Sequence, residues 1–240
     1  MNVKIAGNIN QYLEAEMPPH EILISEAGAM TYYEEGINME ILFLKDGFLG
    51  VIKRMFSGEG IILVKFTNNS NSSKKILLSS GTVIHPIKID TYSDGLICAK
   101  SSFFSCTKNI NLGIDVDNSI STGLIGGLGF VRQKITGTGT VFLKGKGEIK
   151  KIELSGNKII VDSSGILAFT RNLSFSSKFS NPPKKWMSGE GASDEEISGY
   201  GTLWIQCYND PIKSIPSMNT LSLVIAIIMI VLFICLIFFR

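Results

Sequence analysis

Along most of the chain, apolar and polar residues alternate in short runs, and glycine clusters separate one run from the next. Ile61 to Phe66, Thr140 to Leu143, Lys158 to Val161 and Thr202 to Gln206 are rich in Ile, Val, Phe, Leu and Trp. A period of two puts successive side chains on opposite faces of a strand. No stretch before Leu221 carries a long 3.6-residue period, so the head is predicted to be all-β, with helices few and short. From Leu221 to Phe239 the pattern changes to one apolar run, LSLVIAIIMIVLFICLIFF, with Ser222 and Cys235 as its only polar interruptions. A helix rising ~1.5 Å per residue over that run would span the roughly 30 Å hydrocarbon core of a bilayer. The predicted organisation is a β-rich head over residues 1–207, a linker over 208–220 that contains Pro211 and Pro216, and a transmembrane tail anchor over 221–239. The opening residues, MNVKIAGNINQYLEAE, hold neither an apolar h-region nor an Arg-rich amphipathic stretch. A single-pass membrane protein with a cytosolic head is therefore expected. Its weakly basic flanks favour the endoplasmic reticulum or a derived membrane over the mitochondrial outer membrane.

The strand pattern repeats. A glycine turn begins at Ser57 (SGEG, with Gly58, Glu59 and Gly60), at Gly126 (GGLG) and at Ser188 (SGEG, with Gly189, Glu190 and Gly191). Ten residues after each start stands a hydroxyl residue: Thr67, Thr136 and Ser198. At the second and third copies that residue opens a further G-x-G, TGTG with Gly137 and Gly139, and SGYG with Gly199 and Gly201. Such spacing reads as glycine turn, strand, glycine turn and returning strand. YLEAEMPPHEILISEAGAM, which contains Gly28, lies over KIELSGNKIIVDSSGILAF, and SSGTVIHPIKIDTYSDGLICAKSSFF is a more divergent copy. The expected fold class is a β-sandwich head of three related β units with pseudo-threefold character, plus the C-terminal helix. In the first copy the polar loop NNSNSS (Asn68 to Ser73) replaces the G-x-G.

Charge and candidate chemistry narrow the function. With 23 Lys+Arg against 21 Asp+Glu there is no electrostatic case for nucleic acid. Cys98, Cys106, Cys207 and Cys235 lack C-x-x-C spacing, so reduced thiols are expected, with neither a disulfide framework nor a zinc site. His20 and His85 have no ligand at helical spacing and read as turn residues; no metal and no cofactor is expected. DSSG at Asp162 lacks the spacing of a nucleophile elbow, and GLIGGLGF (Gly123 to Phe130) has no helix after it as a dinucleotide site requires. Glu59 and Glu190 either cap their own turns or meet at a pseudo-axis to hold a cation or share a proton. Lys53–Arg54, and Lys184–Lys185 beside Trp186, are solvated faces or surface and headgroup contacts.

Five stretches in register resemble the altered inheritance of mitochondria protein 24 family, also called the mitochondrial biogenesis family: EILISEAGAM with INMEI, GFLGVIKRMFSGEGIILVKFT, KITGTGTVFLKGKGEIKKIEL, IIVDSSGILAF, and SGEG with GYGTLWIQ. The resemblance implies a fold similar to the tryptophan RNA-binding attenuator protein, assembly as a homo-oligomer (trimer or ring), and a scaffolding role in membrane organisation. Leu128 departs from the acidic residue the family has in the middle turn. The expected function is a non-catalytic, membrane-anchored scaffold or interaction protein with unidentified protein partners. The alternatives are a small-ligand or cation binding module, and an enzyme of unrecognised chemistry.

Overall fold

Leu13, Ala15 and Met17 are fully buried while Glu16 between them is exposed, as expected of a strand with one face on a core. The computed structural model describes residues 1–42, 62–99, 101–115, 132–178 and 194–208. Within them the protein is all-β, and its helical content is two 3-10 turns, Ile89–Thr91 and Ser163–Gly165. After a lead strand, β1 (Asn2–Ala6), a first unit holds β2 (Tyr12–Met17), β3 (Ile22–Glu26), β4 (Met30–Tyr33), β5 (Ile37–Leu42), β6 (Leu63–Asn68) and β7 (Lys74–Ser79). A second unit holds β8 (Val83–Lys88), β9 (Leu96–Ala99), β10 (Phe103–Thr107), β11 (Ile110–Asp115), β12 (Arg132–Gly137) and β13 (Thr140–Gly145). A third holds β14 (Ile149–Ser155), β15 (Ile159–Asp162), β16 (Ile166–Thr170), β17 (Leu173–Lys178) and β18 (Asp194–Gln206), the last serving as both fifth and sixth strand.

One pairing rule generates all three units. The first and third strands pair the sixth, and the second and fourth pair the fifth: β2·β7, β4·β7, β3·β6 and β5·β6 in the first unit. The second unit repeats it as β8·β13, β10·β13, β9·β12 and β11·β12. In the third, β14 and β16 pair the later half of β18, and β15 and β17 its earlier half. Even the irregularities repeat: each third strand carries one bulge, between Met30 and Tyr32, Phe103 and Ser105, and Ile166 and Ala168. Units are joined edge to edge, β3 of the first to β10 of the second, and β9 of the second to β16 of the third. The core layers follow. Leu13, Ile76 and Leu78 pack with Leu23, Phe66 and Phe142, while Leu63, Leu96, Val141, Ala168 and Trp204 bring residues of all three units into one buried cluster.

Two expectations are corrected here. The G-x-G segments do not reverse the chain into hairpins: β12 and β13 belong to different sheets, and Ser198–Gly201 lies inside the continuous strand β18. Glycine is required there because another backbone comes too close. A Cβ on Gly137 would stand 2.2 Å from the Asn109 carbonyl oxygen, and one on Gly199 would stand 2.5 Å from that of Asn172. The transmembrane helix is the second. No helix among the described residues is long and apolar enough to cross a membrane. The run Leu221–Phe239 lies outside the described residues. The fold class is corrected to an all-β protein of several sheets, and the membrane partner, the tail anchor and the single-pass localisation lose their support.

Candidate functional site

The turn after each third strand sets the local geometry. Thr107-Lys108-Asn109 links β10 to β11, and the Thr140 N–H donates to Thr107 Oγ1 at 3.1 Å. Thr170-Arg171-Asn172 links β16 to β17, and the Thr202 N–H donates to Thr170 Oγ1 at 2.9 Å. In the first unit Glu34-Glu35-Gly36 stands in this place. The Lys75 N–H donates to Glu34 Oε2 at 2.9 Å, so Glu34 takes the part of the two threonines. Counting onward, Glu35 occupies the position of Lys108 and Arg171, an acid where the other two units have a base.

The two filled junctions have the same register. Ser105, Cys106 and Thr107 lie opposite Ser25, Ile24 and Leu23, and Ala168, Phe169 and Thr170 lie opposite Cys98, Ile97 and Leu96. At the first, Lys108 Nζ reaches Glu21 Oε1 at 3.5 Å, and the N-terminal ammonium of Met1 lies 3.9 Å from Glu21 Oε2. A cleft of about 620 Å³ opens beside this bridge, walled by Val3, Pro86 and Phe142 and rimmed by Glu21, Lys108 and Asp90. Gly139, its backbone N–H 3.2 Å from an Asp90 carboxylate oxygen, also lines it.

The first unit ends differently. β4 is the edge of its sheet, with no described strand on its outer side. Tyr32 and Tyr33 are 42% and 37% exposed, whereas their equivalents Ser105, Cys106, Ala168 and Phe169 are at most 2% exposed. On the neighbouring β5, Met39 and Ile41 are 46% and 53% exposed. Leu112 and Phe175, at the position of Met39 in β11 and β17, are half-buried against cores. In the third unit β15 pairs only β18 among the described strands, and its Ile160 is 61% exposed.

The structure distributes the residues singled out in the sequence unevenly. Gly28, Gly137, Gly139 and Gly199 have positive φ, and a Cβ on Gly201 would stand 2.3 Å from Thr170 Oγ1. Gly58, Glu59, Gly60, Gly189, Glu190 and Gly191 lie outside the described residues, as do Lys53, Arg54, Lys184, Lys185 and Trp186. The three glycine turns all fall between a fourth and a fifth strand, which is the same place in each unit. Asp162 caps the 3-10 turn after β15, accepting from the Ser164 N–H at 2.8 Å. Asn68 is fully buried, and its Nδ2 donates to the Met17 and Ser72 carbonyls, which organises the NNSNSS loop. Burial pushes the Cys98 and Cys106 thiols up to about 12. Sequence reasoning missed Glu34, Glu35 and the Thr107 and Thr170 turns, although T-K-N-I and T-R-N-L are visible once the pairing is known.

An all-β protein of three serially joined units with a repeated turn is the class these features define. The mitochondrial biogenesis AIM24 family profile matches residues 3–208. The chain belongs to that family, and its membership suggests a role related to mitochondrial biogenesis. An uncharacterized protein of Streptococcus pyogenes serotype M6 is 24% identical over 192 residues, covering 77% of this chain and 76% of the relative. A Streptococcus pyogenes protein solved by X-ray crystallography has the same fold, with a TM-score of 0.67 at 20% identity over 87% of this chain and 94% of that one.

Proposed function

We propose that the chain is a non-catalytic interaction protein, a scaffold rather than an enzyme. The observation that carries this reading is the uncovered apolar ledge of the first unit: Met39, Tyr32 and Tyr33 stay exposed at positions whose counterparts elsewhere are covered, and Ile41 is exposed on the same strand as Met39. Short apolar edges left open are surfaces to which other chains add. The inertness of the buried thiols points the same way, because a nucleophile needs an accessible thiolate and Cys98 and Cys106 are held protonated. The test is recovery of bound proteins from the cells of origin with the wild-type chain and with Met39→Ser/Ile41→Ser. A defined set of proteins retained by the wild type and lost from a variant of unchanged melting temperature supports the reading. Equal recovery by both overturns it.

The cleft beside Glu21 and Lys108 favours a second reading, a binding module for a small amphipathic ligand. Its apolar wall and its charged rim of both signs are the usual ingredients of such a site. A metabolite that raises the melting temperature of the wild type but not of Phe142→Ala, measured against the stability of each, would support it.

A further inference from the structure

We propose that the cleft between the first and second units binds an arylalkylamine, with the ring on Phe142 and Pro86 and the ammonium on Asp90. The inference rests on the second reading above and names the class of ligand. The chain shows at its second junction what fills such a place. Thr140 and Thr202 are equivalent, each donating its N–H to the turn threonine of its unit, so Phe142 and Trp204, two residues on, are equivalent as well. Across the sheet Phe142 lies opposite Pro86, and Trp204 opposite Lys151. At the second junction Tyr92, from the link between β8 and β9, packs on that pair. Its ring meets Trp204 edge-on with centroids 5.3 Å apart, and its hydroxyl hydrogen-bonds the Lys151 side chain. Aromatic pairs favour this separation and tilt. The corresponding link of the first unit, Pro18 to Glu21 between β2 and β3, holds no aromatic residue. Phe142 and Pro86 therefore line an open cleft of about 620 Å³. That volume is within the roughly 300–1,000 Å³ of small-molecule sites.

Asp90 sets the other end of the ligand. Lys88 pairs Thr140 and Glu153 pairs Thr202, so Asp90, two residues on, corresponds to Ser155, and its carboxylate is peculiar to the second unit. It is exposed on the rim, and its two oxygens share the Gly139 N–H at 3.2 and 3.3 Å. Asp90 makes no ion pair among the described residues. Glu21, by contrast, already holds Lys108 Nζ at 3.5 Å and the Met1 ammonium at 3.9 Å. Asp90 is thus the rim charge left without a counter-ion, and an ammonium supplies it with a charge-assisted hydrogen bond. Ring and cation are selected together. An alkylamine without a ring leaves Phe142 and Pro86 uncovered, and an aryl carboxylate brings a like charge to Asp90.

The test titrates the purified full chain, by ligand-observed NMR, with three probes: phenethylamine, hydrocinnamate, which carries a carboxylate in place of the ammonium, and butylamine, which lacks the ring. Phenethylamine is expected to bind roughly tenfold more tightly than either of the others. Asp90→Asn should remove most of its margin over hydrocinnamate. Pro86→Lys copies Lys151 of the third unit and puts a cation beside the ring, and should weaken phenethylamine roughly tenfold. Both positions are exposed, so each variant should keep the wild-type melting temperature. Equal affinity for phenethylamine and hydrocinnamate overturns the inference, and so does phenethylamine binding that both variants leave intact. If phenethylamine does not bind while hydrocinnamate or a metabolite stabilises the wild type and not Phe142→Ala, this inference fails and the cleft stands as a binding site. If none of them binds, both fall.

Discussion

The ledge formed by β4 and β5 and the covered pair β10 and β11 are built on the same pattern and have opposite fates. Ile37, Met39 and Ile41 correspond to Ile110, Leu112 and Ile114, and both two-strand segments carry the same bulge in the first of their strands. Ile37 and Ile110 are buried alike. One position further along the same face, Leu112 is half-buried while Met39 is exposed. What differs is not the strands themselves but the neighbour: β3 lies on the outer side of β10, and no described strand lies on the outer side of β4. Burial at such a position is thus a property of the junction. An alternating strand tells which face is apolar without telling whether anything covers it.

Substitution costs should follow this difference in covering, most steeply in the core. Leu23 sits fully buried in a filled junction strand, so Leu23→Ala should cost about 2–5 kcal/mol in urea unfolding, against roughly 1 kcal/mol for Ile159→Ala in the open strand. Similar losses at both would mean that the β15 edge is already covered. Next come the glycines. Gly137→Ala and Gly199→Ala combine positive φ with a carbonyl oxygen in the way and should cost on the order of 2–3 kcal/mol each. Gly28→Ala has positive φ with open space around it, and should cost about 1 kcal/mol. Equal costs would remove the close-approach explanation of the G-x-G motif.

Smaller effects follow at the turns and at the ledge. Thr107→Val and Thr170→Val each take an acceptor from a strand N–H and should lose about 1 kcal/mol, whereas Glu34→Gln keeps its acceptor and should lose less. Met39→Ser should change stability by no more than about 0.5 kcal/mol, and Leu112→Ser by more than 1 kcal/mol. The weakest effect is a pH slope. Burial, and then the charge of Lys151, hold His85 below its ordinary 6.5. The folded state therefore favours neutral imidazole, and the unfolded chain binds the extra proton first as pH falls. Stability from this group is present above pH 6.5 and declines as pH drops through it. His85→Gln should flatten that part of the profile; an unchanged slope would assign it to other groups.

Legibility followed the range of the interaction. The overlay of YLEAEMPPHEILISEAGAM on KIELSGNKIIVDSSGILAF matched β2 and β3 to β14 and β15, because first and second strands carry their pattern locally. The hydroxyls Thr67, Thr136 and Ser198 face Asn38, Asn111 and Ser174, the same place in each unit. The G-x-G motif was visible but its purpose was not, since Asn109 and Asn172 approach it from distant sequence. Glu34 and Glu35 looked like an ordinary exposed acidic pair until Thr107-Lys108 and Thr170-Arg171 were seen to occupy their place.

By itself, then, the sequence determined the strands, their apolar faces, the threefold repetition and the family, all of which depend on residues a few positions apart. Only the tertiary structure decided which strand lies beside which, and so which apolar faces are covered and which edges stay open. Pairing is a contact between segments far apart in the chain, and two segments with the same local pattern can sit at a filled junction or at an open edge. Lys108 beside Glu21, and Glu35 with no described strand on its outer side, are the same position in the repeat; the neighbour makes the difference.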